Sequence, residues 1–327
     1  MRIGLFCTYE NPQCDYALAY AQQTELVELI ETLGYDEAWV AEHHFNPNAA
    51  SPSCLSVLTY LAGRTSRIRL GSAAVLLPLR NPIHVAEDVA TLDILSRGRF
   101  DFGVAKGGPF PIQNKHFYVN PDESRVKSME ALCLIQKLLT EESVQFEGTF
   151  FKADGVSLTP KPLQAPVPTF IATSNADAVT LAAANDYGIM GGPPFPLESL
   201  RQNLRLYRES TSQGKPRLVL IRFFHVASTH EQAVTEAGEF LRPFIERMQT
   251  TTPHLQPDWT SWFNLERVIE DSLIGTVLEI RDKILKLQDA LAPRSLILKP
   301  ISPSFAKRRA DLELFANKIR PLVPMAA

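Results

Sequence analysis

A short apolar run, Trp39-Val40-Ala41, stops in a carboxylate and two imidazoles, Glu42-His43-His44, followed by Phe45. Four or five apolar residues between turn signals read as a buried strand. Titratable groups at the C-terminal end of such a strand lie where open α/β sheets and (β/α)8 barrels carry their chemistry. Histidine titrates near working pH, so one imidazole here can act as a general base or orient a reacting group. The same stretch also reads as a satisfied pair of histidines at a strand end. A metal fits poorly. Adjacent strand residues point to opposite faces. Glu42 and His44 can share a face, but no HxH or HxxxH spacing supplies the three or four placed ligands that zinc needs. No metal is expected.

Other residues suggest an anion. Lys106 follows a predicted strand and precedes Gly107-Gly108, whose lack of side chains lets a ligand approach the backbone. Arg125 falls in the first turn of a predicted helix, where a cation is disfavoured unless an anion neutralises it or solvent screens it. Ser174-Asn175 opens another helix. It reads either as a phosphate site on free N–H groups or as ordinary N-capping. Ala73-Ala74, small residues at a strand end, leave room for a flat ligand, though barrel packing explains them equally well. Segments 107–123 and 250–274 are long connections that read as candidate lids. The first carries Pro109, Pro111, His116 and Phe117, and the second Trp259 and Trp262. His225 and Lys299 end predicted strands and receive no role.

The elements that must position these groups alternate along the whole chain. Strands are expected at 3–7, 38–41, 68–77, 100–105, 169–172, a short stretch ending at Gly191-Gly192, 218–226 and 295–299. Helices are expected at 16–33, 53–62, from Pro82 to Leu95, 124–139 with Ser124 as cap, 176–185, 197–212, 229–249, 276–291 and 306–322. Residues 146–151 read as half of a small hairpin, and four prolines between 160 and 168 make a rigid entry to the fifth strand. Eight β→α steps without a composition break argue for a parallel sheet with helical crossovers. The expected fold is therefore an α/β class (β/α)8 TIM barrel with insertions in the C-terminal-face loops, occupying residues 1–327 as one domain. No GxGxxG follows a strand, which weakens a dinucleotide-binding alternative.

Composition narrows the partners. With 327 residues, 45% of them hydrophobic, the chain can build a large core. A net charge of −3 and no basic block beyond Lys307-Arg308-Arg309, read as a solvated helix face, give no nucleic-acid footprint. Four cysteines without CxxC spacing read as reduced thiols, two of them in the core. No targeting segment and no membrane span is expected, so the default compartment is the cytoplasm.

Several stretches together resemble the bacterial luciferase-like flavin monooxygenases. Ala41-Glu42-His43-His44-Phe45 is similar to a hallmark of the aldehyde-oxidising branch of that family, as is Gly71-Ser72-Ala73-Ala74-Val75-Leu76-Leu77-Pro78. Glu87-Asp88, Leu92-Asp93 and Ser96-Arg97-Gly98-Arg99-Phe100-Asp101-Phe102-Gly103 match in order and spacing. The proline-rich run from Pro160 to Pro168 and the pair Gly275-Thr276 match as well. The resemblance implies a barrel that binds reduced FMN (FMNH2) at the strand C-termini. There O2 adds to the flavin, and the resulting peroxyflavin oxidises a small organic substrate, an aldehyde among the candidates.

Carried over by residue, the resemblance makes His43 catalytic. It makes Glu42, Ala73 and Ala74 contacts to the ring edge, with a cis peptide between the alanines. Lys106, Arg125, Ser174 and Asn175 become phosphate contacts. It also implies a separate NAD(P)H-dependent flavin reductase and a homodimer. Lys106 stands where luciferase has arginine, Ala105 where it has a reactive cysteine, and Ser174-Asn175 where it has Glu-Ser. Two alternatives accompany this reading: a deazaflavin-dependent oxidoreductase on the same fold, and a non-catalytic flavin-binding relative or partner subunit.

Overall fold

The computed structural model describes residues 1–108, 110–211, 216–251 and 261–324. The barrel strands are β1 (Arg2–Cys7), β2 (Glu37–Val40), β3 (Arg69–Ser72), β4 (Phe100–Ala105), β5 (Thr169–Ala172), β6 (Gly188–Gly191), β7 (Leu218–Val226) and β8 (Ser295–Pro300). Each pairs in parallel with the next, and β8 returns to β1, so the eight strands close a barrel. The outer layer holds α1 (Tyr16–Thr32), α2 (Cys54–Arg64), α3 (Pro82–Leu95), α4 (Ser124–Thr140), α5 (Ala176–Ala184), α6 (Leu197–Glu209), α7 (His230–Thr251), α8 (Val277–Leu291) and α9 (Phe305–Leu314).

Strand alternation divides the core in two. Ile3, Leu5, Ala38, Val40, Phe100, Phe102, Leu296 and Leu298 point outward and pack under the helices. Their neighbours point inward, where Trp39, Phe170, Met190, Val219, Ile221 and Ile297 fill the barrel. Gly71 makes this packing possible: a Cβ there would stand 2.3 Å from the Trp39 ring. Below this layer, Glu37 accepts from Trp39 Nε1 (2.8 Å) and Arg2 (3.0 Å), and Asp101 pairs with Arg69 (2.5 Å) and Arg294 (2.9 Å). The N-terminal end is thus closed by paired charges, and small residues, Ala73 and Ala172, face the opposite end.

Local capping follows the sequence in most places. Asn81 accepts from the Ile83 N–H ahead of Pro82, and Thr276 with Glu279 forms a capping box on α8. Other expectations need correction. The strand expected at 68–77 stops at Ser72, and the Ala73–Ala74 peptide bond that follows is cis. It resumes only for Val75–Leu76 before a 3-10 turn at Leu77–Leu79. Glu123, not Ser124, is the N-cap of α4, and the Ser124 hydroxyl donates instead to the Pro121 carbonyl (2.7 Å).

The hairpin is formed by Val144–Glu147 and Lys152–Val156. The last helix changes to a π turn at Phe315–Ile319 and then a 3-10 turn. Residues 250–274 are not all irregular: Thr251 ends α7, Leu265–Glu270 is helical, and Leu273–Gly275 adds a parallel strand to β7. Trp259 lies outside the described residues. Arg308, expected on a solvated face, is buried, and donates to Glu10 (2.9 Å).

Candidate functional site

Two hollows open at the C-terminal end of the strands, on either side of the loop after β6. Phe195 of that loop lines one hollow, and Pro193 and Pro194 line the other. Arg222, fully buried on β7, holds the loop by donating to the carbonyls of Gly192 (2.9 Å) and Phe195 (3.0 Å). Burial pulls its guanidinium down to about 10. Trp262 packs on Phe195 with ring centroids 5.2 Å apart.

The first hollow carries the charge expected of an anion pocket. Lys106 enters it from the end of β4, Arg125 from the first turn of α4 and Ser174 from the start of α5, with Ala105, Gly107, Ser128 and Ala172 around them. Lys106 and Arg125 make no hydrogen bond or ion pair with any described residue. Burial holds both below their ordinary values, and the Arg125 charge lowers Lys106 further. Two cations packed this way repel each other. An anion between them would relieve the repulsion and the lost hydration together. The N-termini of α4 and α5 add positive potential, which the Asp177 carboxylate in the first turn of α5 opposes at Arg125. Asn175 behaves differently from its neighbour: its side chain accepts from the Ala178 N–H (3.2 Å) as the N-cap of α5, and it does not line the pocket. Ser128 escaped the sequence reading because a serine inside a helix carries no signal of its own.

The second hollow is a cleft of about 420 Å³. Phe6, Phe223, Phe240 and Phe244 give it an aromatic wall, and Thr8, Glu10, Asn11, His43 and Lys299 give it a polar one. His43 is held at the end of β2 by its backbone N–H, which donates to the Ser51 carbonyl (3.1 Å). Neither ring nitrogen is hydrogen-bonded to a described residue, and Nδ1 is fully buried. Burial, with help from the Lys299 charge, pulls the imidazole down to about 4. It is therefore neutral at working pH, with one N–H to donate and one lone pair to accept.

Lys299 donates to Thr8 Oγ1 (2.7 Å) and to Glu10, and Glu10 is shared with Arg308. The oxygen of the Asn11 carboxamide is buried and unpartnered. Lys299 thus gains a place in the cleft. His225 does not: it points outward, bonded to Glu236 (2.7 Å) and 3.6 Å from Asp311.

Glu42 and His44 divide from His43 in the turn beyond the end of β2. The Glu42 carboxylate is buried, and accepts from His44 Nε2 (2.9 Å), Arg80 (3.1 Å) and Cys54 Sγ (3.2 Å). Its pKa is lowered: these partners, His44 and Arg80 foremost, overcome the burial that would otherwise raise it. The side chain fixes the end of β2, and only its backbone remains to meet a ligand. Among the described residues no cluster of His, Cys, Asp or Glu could hold a metal ion, and no helix is long and apolar enough to cross a membrane.

Fold and site together define a parallel barrel with an anion pocket and a histidine-bearing cleft on its C-terminal face. The chain belongs to the luciferase-like monooxygenase family, whose sequence profile matches residues 1–294. It is 28% identical over 325 residues to limonene 1,2-monooxygenase of Rhodococcus erythropolis, covering 96% of this chain and 84% of that one. It is 24% identical over 360 residues to the oxygenase component of flavin-dependent trigonelline monooxygenase of Acinetobacter baylyi, covering 98% and 95%. An uncharacterised protein, y4wF of Sinorhizobium fredii, is 32% identical over 186 residues, which cover 57% of this chain and 54% of that one.

Among solved structures, monooxygenase RslO1 from Streptomyces bottropensis superposes with a TM-score of 0.86 at 25% identity, covering 98% of this chain and 99% of that one. Two others share the fold. The FMN complex of the oxygenating constituent of 3,6-diketocamphane monooxygenase of Pseudomonas putida gives 0.82 at 18% identity, covering 100% and 99%. An F420-dependent secondary alcohol dehydrogenase gives 0.79 at 19% identity, covering 99% of each chain.

Proposed function

We propose that this protein is a flavin-dependent monooxygenase that uses reduced FMN and O2 to oxidise a small organic substrate. The observation that carries the reading is the pair of partly buried cations, Lys106 and Arg125, which have no hydrogen-bond or ion-pair partner among the described residues and share one hollow at the C-terminal end of the strands. The residues present fit a planar cofactor with a terminal phosphate. Lys106, Arg125 and Ser174 would hold the phosphate, and the Ala73–Ala74 main chain and the Glu42 backbone would meet the ring. When bound, reduced FMN supplies the electrons with which O2 becomes an oxidant for the substrate.

The chain's own residues supply the setting for that chemistry. The aromatic wall takes the apolar body of a substrate and excludes water. His43, neutral and without a hydrogen-bond partner among the described residues, donates its N–H or takes a proton beside the reacting atoms. Lys299 keeps a positive charge at the cleft floor, fixed by Glu10 and Thr8. Electrons are proposed to come from a separate NAD(P)H-dependent flavin reductase. The name of the trigonelline relative, an oxygenase component, is consistent with that division.

An anaerobic titration with oxidised and reduced FMN, followed by admission of oxygen, tests the reading. Preferential binding of the reduced form and oxygen-dependent reoxidation are expected. Binding of a deazaflavin in place of either form would move the protein to that oxidoreductase branch. Lys106→Ala is expected to raise the Kd for FMN by a factor matching about 1.5–3 kcal/mol, the worth of a hydrogen bond to a charged group. Affinity for riboflavin, which has no phosphate, should stay the same. Fluorescence titration measures both, and an unchanged FMN affinity would remove Lys106 from the phosphate site.

A further inference from the structure

The short helix Pro111–His116 follows Gly107, which lines the first hollow. Gln113 is its buried residue, only 3% exposed. Its carboxamide makes no hydrogen bond with any described residue, and Nε2 is fully buried. A Cβ built on Gly107 would lie 3.5 Å from Gln113 Nε2 and 3.9 Å from Leu76 Cδ1. Gly107 itself lines the pocket beside Lys106. The amide, which has no partner among the described residues, therefore lies beside Gly107, one of the residues that line the pocket. The turn that carries it is anchored on the end of β2: the Phe117 ring meets His44 at 4.7 Å and Phe45 at 5.7 Å, and His116 meets Phe45 at 6.0 Å.

A buried amide without a partner is costly, and native structures keep few of them. Either assignment of the amide oxygen and nitrogen leaves the same deficit. We infer that Gln113 is a further flavin-contact residue. Its carboxamide hydrogen-bonds the ligand held by Lys106 and Arg125, and so fastens the turn at 110–118 onto that ligand. The inference rests on the flavin reading above.

It predicts a combination that a structural glutamine would not give. Gln113→Met keeps the length of the side chain and removes its polar atoms. Removing an unsatisfied group takes away no hydrogen bond from the ligand-free protein, so the ligand-free Tm should stay level or rise. The Kd for FMN should rise about tenfold or more, since a hydrogen bond to the ligand is lost. Gln113→Asn, which withdraws the amide by one methylene, should weaken FMN in the same direction and serves if the methionine variant does not fold.

FMN binding is measured by fluorescence titration of wild type, both variants and Lys106→Ala. Wild-type FMN affinity in both Gln113 variants overturns the inference, as does a lowered ligand-free Tm without a change in affinity. If FMN binds wild type and is weakened by Lys106→Ala alone, the inference fails while the flavin reading stands. If wild type binds no FMN, both fail.

Discussion

Replacing His43 with alanine is expected to leave FMN bound and to slow oxygen-dependent turnover by about a hundredfold or more, the usual range for losing a positioned acid–base group. The side chain makes no hydrogen bond with any described residue, and the backbone at this point is held independently by Ser51. The fold and the anion pocket should therefore survive, and the change should fall on chemistry alone. Stopped-flow reoxidation of bound reduced FMN measures it, and a variant that reacts like wild type would remove His43 from catalysis.

The same residue carries a pH signature. In the ligand-free protein its imidazole should titrate near 4, against an ordinary value of 6.5. Histidine NMR, with His43→Ala to assign the resonance, reads this directly. A midpoint above 6 would mean that neither burial nor Lys299 acts on the ring as described. The sign for stability follows from linkage. Between pH 6.5 and about 4 the unfolded chain takes up a proton that the folded chain refuses. The stability from this group is complete above 6.5 and is lost as pH falls towards 4.

The second large effect is expected at Glu42. Glu42→Ala should cost about 3 kcal/mol of folding stability, at the lower end for breaking a buried ion pair by removing one partner. The carboxylate is fully enclosed and serves His44, Arg80 and Cys54 at once, so its loss leaves three donors without their acceptor. Arg80 retains some contact with solvent, which keeps the cost from the top of the range. Denaturant unfolding of the ligand-free protein gives the figure. A loss below about 1 kcal/mol, the worth of an exposed pair, would mean that the network is not the buried clamp described here. Because the Glu42 pKa is lowered, the stabilisation is present above its ordinary value of 4.5 and fades as pH falls below it.

Much of the site was legible because it sits at strand ends. Hydrophobic runs, Gly and Pro punctuation and the carboxylate–imidazole stop after Val40 are all short-range features. They were enough to place His43 and Lys106, and to anticipate the barrel. Ser174 and Asn175 show where that reasoning stops. Adjacent in sequence and alike in chemistry, they separate in space: one faces the pocket and the other caps α5. The strand Leu273–Gly275 was hidden for a related reason, since three residues carry no periodicity and exist as a strand only through their pairing with β7. Gln113 gave no signal at all, because only its burial and its missing partner mark it.

The sequence by itself determined the order of strands and helices, the absence of metal-ligand spacing, and which strand ends carry titratable groups. Each of these depends on neighbours within a few turns of chain. Tertiary structure decided what those groups do. Closing β8 onto β1 brought Lys299 and Glu10 to the cleft that His43 lines, and the Lys299 charge helped keep that imidazole neutral. Folding α4 over the β4–β5 edge set Arg125 beside Lys106, and α2 and the start of α3 enclosed Glu42 with Cys54 and Arg80. Electrostatic partners are chosen by distance and burial, and neither exists until the barrel has closed.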